Sequence, residues 1–129
     1  MGREEQSSVA KPLDRIVIRD LLLRCVIGIQ DWERNTRQDV VVNVTLFADI
    51  TTAGRSDRIE DTVNYKTLAK RMIAFTEASS FYLVEALAEK LAEMCLEEPG
   101  VERVRIGVEK PGALRFARSV GVEIERGRG

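Results

Sequence analysis

The stretch QDVVVNVTLFADI, residues 38–50, carries the clearest secondary-structure pattern of the sequence. Apolar residues recur at every second position, a period that is typical of a β-strand. The two alternating sets are Val40, Val42, Val44 and Leu46 on one face and Val41, Asn43, Thr45 and Phe47 on the other. Because Val41 and Phe47 make the second face partly apolar, we expect a partner to cover it. A homo-oligomer whose sheets join edge to edge would supply that partner.

A second β-rich segment precedes this strand. It comprises residues 16–18 and 21–27 and ends at Gly28. A polar loop at 30–37, which contains Glu33, separates it from the strand. Two neighbouring strands joined by a loop are predicted to form an antiparallel hairpin.

Two helices and then two more strands are predicted after this hairpin. The predicted spans are a loop at 51–62, helices at 65–78 and 83–97, and strands at 103–109 and 120–125. Asn64 is the predicted N-cap of the first helix, and Pro99-Gly100 ends the second. The order ββααββ indicates an α+β fold with an antiparallel sheet and both helices on one face.

The composition limits the possible functions. The chain has 129 residues, 20 Lys and Arg against 21 Asp and Glu, a net charge of −1 and no His. Its length and 44% hydrophobic content are typical of one domain, predicted over residues 13–126 after a disordered arm at 1–12. The balanced charge disfavours a nucleic-acid partner. The absence of His excludes Ser-His-Asp and Cys-His triads and His-ligated zinc, so proton transfer would depend on Lys, Tyr, Glu, Asp, Cys or water.

Cysteine usage and hydropathy bear on location. Cys25 and Cys95 lie in separate apolar segments and outside any CxxC motif, which favours buried, reduced thiols over a metal or redox site. No run of about 18 apolar residues suggests a membrane span. Residues 1–12 are polar and unlike a signal peptide. We therefore expect a cytoplasmic protein that binds no metal.

Taken one at a time, the candidate functional residues carry weak signals. Lys110 ends a strand before Pro111-Gly112, a position that suits a solvated charge as well as a base at the mouth of a sheet. Glu85 shares i,i+4 spacing with Glu89 and Glu93, so a solvated acidic stripe is the simpler interpretation. Packing or surface charge equally explains the remaining candidates, Tyr65, Glu33, Arg115 and Arg118.

Four motifs, however, occur together in one order. They are GIQDWERNTRQDVVVNV at 28–44, DTVNY at 61–65, LVEALAE at 83–89 and VEKPGALRFARSVGVEIER at 108–126. In order and spacing they resemble the dihydroneopterin aldolase family over about residues 14–126. The resemblance implies the T-fold, in which ββααββ subunits join into a homo-tetrameric barrel, or stack as a homo-octamer, with active sites at subunit interfaces.

The resemblance also implies an activity. Members of this family act in folate biosynthesis and cleave 7,8-dihydroneopterin by a retro-aldol reaction into 6-hydroxymethyl-7,8-dihydropterin and glycolaldehyde, with epimerisation at C2' through the same intermediate. It implies no metal, Schiff base or other cofactor, since the dihydropterin ring accepts the electrons once N5 is protonated. The enzyme then needs a proton donor and acceptor near the 2'-hydroxyl and an anchor for the pterin, which agrees with the absence of His.

Residue by residue, the family's catalytic positions fall on Lys110, Glu33 and Tyr65. By this resemblance Lys110 would move the 2'-hydroxyl proton with the help of water, and Glu33 would contact the hydroxylated tail and hold Lys110. Tyr65 would act across the subunit boundary. The pterin anchor falls on Glu85, whose carboxylate suits the 2-amino and N3-H donors. The other implied substrate-binding residues are Val84 and Leu83, through their backbone, and Asn64.

Two departures leave the branch of the family open. Ile27 stands where many aldolases have His, and Gly112 stands where the related dihydroneopterin triphosphate 2'-epimerases commonly have His. The segment KPGALRFA resembles the epimerases, whereas GVEIER resembles the aldolases. An aldolase is our first hypothesis. A triphosphate epimerase, with Arg115 and Arg118 as candidate phosphate contacts, is the second, and a catalytically silent pterin-binding subunit is the third.

Overall fold

Four strands, three α-helices and two 3-10 helices make up the computed structural model, which describes residues 12–128. In chain order the elements are β1 (Asp14–Cys25), a 3-10 helix (Asp31–Asn35), β2 (Gln38–Ala48), α1 (Thr51–Ser56), a second 3-10 helix (Ile59–Asp61), α2 (Tyr65–Glu77), α3 (Val84–Leu96), β3 (Arg103–Pro111) and β4 (Ser119–Gly127). The predicted strands and helices differ from these bounds by at most two residues. The predicted arm lies outside the described residues, apart from Pro12.

The sheet is antiparallel throughout, in the order β1-β2-β3-β4. The inward residues of β2 are completely buried between the sheet and the two longer helices, which confirms the predicted α+β arrangement. Leu68 and Met72 of α2 and Leu87 and Leu91 of α3 complete this core. Burial of each such side chain contributes on the order of 1.5–3 kcal/mol. Asn64 caps α2 as predicted, since its side-chain oxygen accepts the Thr67 N–H at 3.2 Å.

A β-bulge lies inside β1, between its two apolar stretches. The register shifts between Ile18 and Leu21, where β1 holds one residue more than its partner. Asp20 lies in the bulge with a φ of +55°, and its N–H donates to the Asn43 side chain at 2.8 Å. The extra residue lets apolar side chains on both sides of the bulge point towards the helices.

The prediction of a plain loop at 51–62 was wrong, because this segment contains α1 and the second 3-10 helix. Two threonines and Gly54 give α1 little intrinsic helix propensity. Its geometry comes from contacts that local pattern does not reveal. Asp57 ends the helix with a φ of +61° and donates its N–H to the Ala53 carbonyl at 2.9 Å. Ser56 Oγ donates to Asp61 at 2.6 Å and joins the two short helices.

The outer face of the sheet is partly covered by its own side chains. Phe47 is only 5% exposed, because the guanidinium groups of Arg103 and Arg105 lie 4.2 and 5.5 Å from its ring centroid. Glu125 pairs with both arginines. The expectation that Phe47 needs a second copy to cover it was therefore wrong, since arginine side chains bury apolar surface while their charge stays solvated.

Both cysteines are free and buried, as their apolar surroundings predict. Burial is the main cause that raises the pKa of the Cys95 thiol to about 12, so this sulfur is a poor nucleophile at neutral pH. Within residues 12–128, no helix is both long enough and apolar enough to cross a membrane.

Candidate active site

In the loop between β1 and β2, the side chain of Glu33 folds back against the backbone of the same loop. Glu33 lies in the first 3-10 helix and is 7% exposed. Its Oε1 accepts the Gln30 N–H at 3.0 Å and so caps that helix. Gly28 has a φ of +127°, and a Cβ atom there would lie 2.2–2.3 Å from the Glu33 carboxylate atoms. Glycine is required at this position, because any side chain would displace the carboxylate.

The second carboxylate oxygen joins this loop to β3. Lys110 Nζ donates to Glu33 Oε2 at 2.7 Å, and the two side chains are 18% and 9% exposed. Gln38 Nε2 donates to the same oxygen at 3.2 Å and also to the Ile27 carbonyl. The ion pair is therefore shielded from water and fixed in direction by an amide anchored to the backbone.

These contacts determine the protonation of Glu33. The hydrogen bond from Lys110 is the largest cause that lowers the pKa of Glu33 from 4.5 to about 2, followed by the bond from the Gln30 N–H. Burial acts in the opposite direction but is outweighed. Glu33 is thus a carboxylate at neutral pH and a very weak base, suited to hold and orient Lys110 rather than to remove a proton itself.

The ion pair opens into a groove of about 250 Å³. Three parts of the chain supply its walls: the loop between β1 and β2, the start of α3, and the end of β3 with the connection to the start of β4. The lining residues are Gly28, Ile29, Glu33, Tyr82, Leu83, Val84, Glu85, Lys110, Ala113 and Val120. The fold therefore brings five of the seven predicted site residues together in one groove with mostly apolar walls.

Glu85 differs from the other acidic residues of α3. Glu89 pairs with Arg126, and Glu93 pairs with Lys90 at 3.5 Å. The Glu85 side chain forms no ion pair or hydrogen bond with any residue among 12–128. Glu85 is exposed, as a solvated residue would be, but of these three acidic residues of α3 it is the one that lines the groove.

The start of α3 also offers backbone donors to the groove. α3 begins at Val84 after Leu83, and no side chain caps this end. Because the first N–H groups of a helix have no partner within the helix, they can donate to a ligand.

Arg34 connects the first loop to the segment before α3. Its Nη1 donates to the Gly28 carbonyl at 2.7 Å and to the Phe81 carbonyl at 3.1 Å. Its Nη2 donates to the Ser80 carbonyl at 2.6 Å. The guanidinium carbon also lies 3.9 Å from the ring centroid of Tyr82, which lines the groove. One side chain thus contacts both walls.

Two predicted residues lie outside the groove of their own chain. Tyr65 opens α2 and is 55% exposed. Asn64 uses its side-chain oxygen as the helix cap. Neither lines the groove, so a single chain does not bring them to Lys110.

The two arginines of the β3–β4 connection also lie apart from the groove lining. Arg118 pairs with Glu109 at 3.3 Å and is 83% exposed along its side chain. Arg115 lies over Phe116 at 5.1 Å from the ring centroid. Their positions in a single chain do not assign them a ligand.

A larger cavity of about 750 Å³ lies elsewhere, over Phe47, with Arg15 and Arg103 among its lining residues. It contains none of the predicted site residues, so chemistry rather than size identifies the smaller groove as the candidate site. In the described part of the chain, no group of three or more His, Cys, Asp or Glu residues could hold a metal ion.

Sequence reasoning missed the roles of Arg34, Gln38 and Tyr82. Gln38 lies inside the first motif and begins β2, where its type carries no special signal. Arg34 and Tyr82 would each be expected on a solvated loop. The only available signal is the juxtaposition of Arg34 with Glu33 in a short polar loop, and it does not reveal the distant carbonyls.

Comparisons with known proteins show which families, relatives and solved structures the chain is similar to. The family model described as dihydroneopterin aldolase (FolB) matches residues 16–125. The chain is 42% identical over 114 residues to the folic acid synthesis protein FOL1 of Dictyostelium discoideum, covering 88% of this chain but 17% of that protein. It is 36% identical over 115 residues to the dihydroneopterin aldolase of Escherichia coli, covering 89% of this chain and 94% of that one.

The chain is also similar to a triphosphate epimerase and to an aldolase whose structure was solved with neopterin. The dihydroneopterin triphosphate 2'-epimerase of Pseudomonas aeruginosa is 36% identical over 110 residues, which is 85% of this chain and 89% of the relative. The crystal structure of Escherichia coli dihydroneopterin aldolase in complex with neopterin superimposes with a TM-score of 0.83 at 36% identity, covering 89% of this chain and all of that chain.

The low pKa of Glu33 predicts a pH-dependent contribution to stability. Since this pKa falls from 4.5 to about 2 on folding, the carboxylate stabilises the fold fully above about pH 4.5, and the contribution is lost as the pH falls towards 2. Glu33→Gln should lower the free energy of unfolding by on the order of 1–3 kcal/mol at neutral pH, and the deficit should shrink over this acid range. Urea unfolding at fixed protein concentration measures it, with the exposed Glu77→Gln as control. A deficit that does not change with pH would contradict the prediction.

Proposed function

The chain belongs to the dihydroneopterin aldolase family, and we propose that it cleaves 7,8-dihydroneopterin into 6-hydroxymethyl-7,8-dihydropterin and glycolaldehyde in folate biosynthesis, with epimerisation at C2' as a second outcome. One observation carries the proposal. The Lys110–Glu33 pair, at 2.7 Å, lines the same groove as the carboxylate of Glu85, which is unpaired within the described part of the chain. The groove thus combines groups for proton transfer with an acceptor for the pterin edge.

Glu85 is the proposed anchor of the pterin ring. A carboxylate accepts two parallel hydrogen bonds, which matches the 2-amino and N3-H donors of a pterin. Leu83 and Val84 add backbone contacts at the uncapped start of α3. The exposed apolar side chains of Ile29 and Tyr82 line the groove as well and can cover the flat faces of the ring.

The proposed bond cleavage uses the pterin ring as electron acceptor. Removal of the 2'-hydroxyl proton forms the carbonyl of glycolaldehyde as the C1'–C2' bond breaks. The bonding pair moves into the ring, where protonated N5 accepts it. Protonation at C1' and loss of the N5 proton then give the 6-hydroxymethyl product. Re-addition of the aldehyde before it leaves, through its opposite face, gives the C2' epimer.

In this scheme Lys110 moves the 2'-hydroxyl proton with the help of water. Glu33, with a pKa of about 2, is too weak a base for that step. Its proposed role is to hold Lys110 in position and to accept hydrogen bonds from the hydroxylated tail. Gln38 supports this role because it donates to the same carboxylate oxygen at 3.2 Å.

We propose that a second copy completes the groove and supplies Tyr65. Tyr65 is 55% exposed and lies outside the groove of its own chain. Among the strands that the structure describes, the outer strands β1 and β4 each have one edge without a partner, and such edges pair readily. A homo-tetramer or homo-octamer joined through these edges would place Tyr65 of one chain beside Lys110 of the next, with Asn64 next to it at the start of α2. The proposed location is the cytoplasm.

A triphosphate 2'-epimerase is the second candidate. It is favoured by a relative of that name with the same 36% identity as the Escherichia coli aldolase. The same groove would then break and re-form the C1'–C2' bond without releasing the aldehyde. A catalytically silent subunit is disfavoured, because Lys110 and Glu33 are paired and Glu85 has no partner among residues 12–128.

Incubation with 7,8-dihydroneopterin should release glycolaldehyde. Lys110→Ala should lower turnover by about 10²- to 10⁴-fold, because it removes the group that transfers the proton. Lys90→Ala, which changes an exposed lysine of α3, is the matched control and should keep full turnover. Isomerised dihydroneopterin triphosphate without any aldehyde would identify the epimerase instead, and unchanged turnover in Lys110→Ala would contradict its assigned role.

Subunit mixing tests whether the site is shared between chains. Tyr65→Phe and Lys110→Ala proteins should each be weakly active, and their mixture should recover part of the lost turnover, since some interfaces regain both native residues. Mass spectrometry of the mixture verifies that subunits have exchanged. Exchange without any recovery of turnover would count against a shared site.

A further inference from the structure

We infer that Arg34 is a positioning residue that holds the two walls of the groove at a fixed spacing, so that Lys110 meets the tail of a substrate anchored on Glu85. This inference rests on the proposed function. In this inference Arg34 does not touch the reacting atoms of the substrate. It acts through the backbone of the first loop and of the segment before α3.

The guanidinium group of Arg34 forms hydrogen bonds to both walls of the groove. It donates to the Gly28 carbonyl from one wall and to the Ser80 and Phe81 carbonyls from the other, at 2.6–3.1 Å. Its planar fork has several N–H groups in a fixed geometry and can serve divergent acceptors at once. A lysine ammonium lacks this geometry, so charge alone cannot replace the contact.

Each wall carries a residue that the proposed reaction needs. Gly28 is the residue whose missing side chain makes room for the Glu33 carboxylate, and Glu33 in turn holds Lys110 at 2.7 Å. Phe81 lies four residues before Glu85, the proposed anchor. Arg34 therefore connects the group that moves the proton with the group that fixes the pterin. Misplacement of such groups by about 1 Å can cost about 100-fold in rate.

Arg34 also contacts the ring of Tyr82. The guanidinium carbon of Arg34 lies 3.9 Å from the ring centroid, within the range of a cation–π contact. Tyr82 is 62% exposed and lines the groove. This contact restrains the orientation of an aromatic side chain in the groove wall.

Arg34 lies in a surface loop rather than in the core, where it is only half-buried. One backbone bond between the walls, from the Gly28 N–H to the Phe81 carbonyl at 3.2 Å, remains without it. Loss of Arg34 should therefore loosen the spacing without unfolding the chain. The proposed main anchor of the pterin, Glu85, lies on one wall, whereas turnover also needs Lys110 at a fixed distance from that anchor, so turnover should suffer more.

The test compares the full-length wild type with Arg34→Ala, and with Arg58→Ala as control, because Arg58 pairs with Glu60 away from the groove. We expect kcat of Arg34→Ala to fall by about 10- to 100-fold, while its Kd for neopterin changes by less than about threefold. Non-denaturing guanidinium chloride should restore part of this kcat and should not raise that of Arg58→Ala. Arg34→Lys should remain impaired, because it keeps the charge but not the fork.

Each other outcome has one meaning. A wild type without activity on 7,8-dihydroneopterin overturns the proposed function. An active wild type with unchanged kcat in Arg34→Ala overturns only the role of Arg34. A fall in kcat without guanidinium rescue, together with a matching loss of neopterin-binding sites, indicates a structural role and also overturns it. If Arg34→Ala does not fold, Arg34→Lys decides: lowered kcat with retained neopterin affinity supports the inference, and unchanged kcat overturns it.

Discussion

The ion pair between Lys110 and Glu33 is the contact on which the rest of the candidate site depends. It joins residues 77 positions apart and so connects the end of β3 with the loop between β1 and β2. One carboxylate oxygen caps its own short helix, and the other receives Lys110 and Gln38. Gly28 leaves the space that this carboxylate occupies. A change at any of these positions would move Lys110, because each contact fixes the carboxylate that holds it.

The arrangement explains how a chain with no His can belong to a family of lyases. In the proposed reaction the substrate's ring accepts the electrons, so the protein contributes orientation and proton transfer. Glu33 and Glu85 are both carboxylates, but their surroundings separate their roles. Glu33 is committed to Lys110 and has a pKa of about 2, whereas Glu85 has no protein partner among the described residues and is available to a ligand.

Local sequence pattern predicted the sheet and the two longer helices, because alternation and helical spacing are properties of neighbouring residues. It missed the bulge at Asp20 and the helix α1, whose geometry depends on contacts with other segments. The family resemblance predicted Glu33, Lys110 and Glu85, which the fold does bring into one groove. The contacts of Arg34 could not be predicted, since they span 46 and 47 positions and arise only when the sheet and α3 bring the two loops together.

In the proposed binding mode, the groove between the first loop, α3 and β3 holds the pterin with its amino edge on Glu85 and its hydroxylated tail at Lys110. A crystal structure of the protein with neopterin tests it most directly. We expect the 2-amino group and N3 to lie about 3 Å from the Glu85 carboxylate, and a tail hydroxyl to lie within about 3.2 Å of Lys110 Nζ or its bridging water. A pterin bound with its amino edge towards Lys110, or bound outside this groove, would contradict this binding mode.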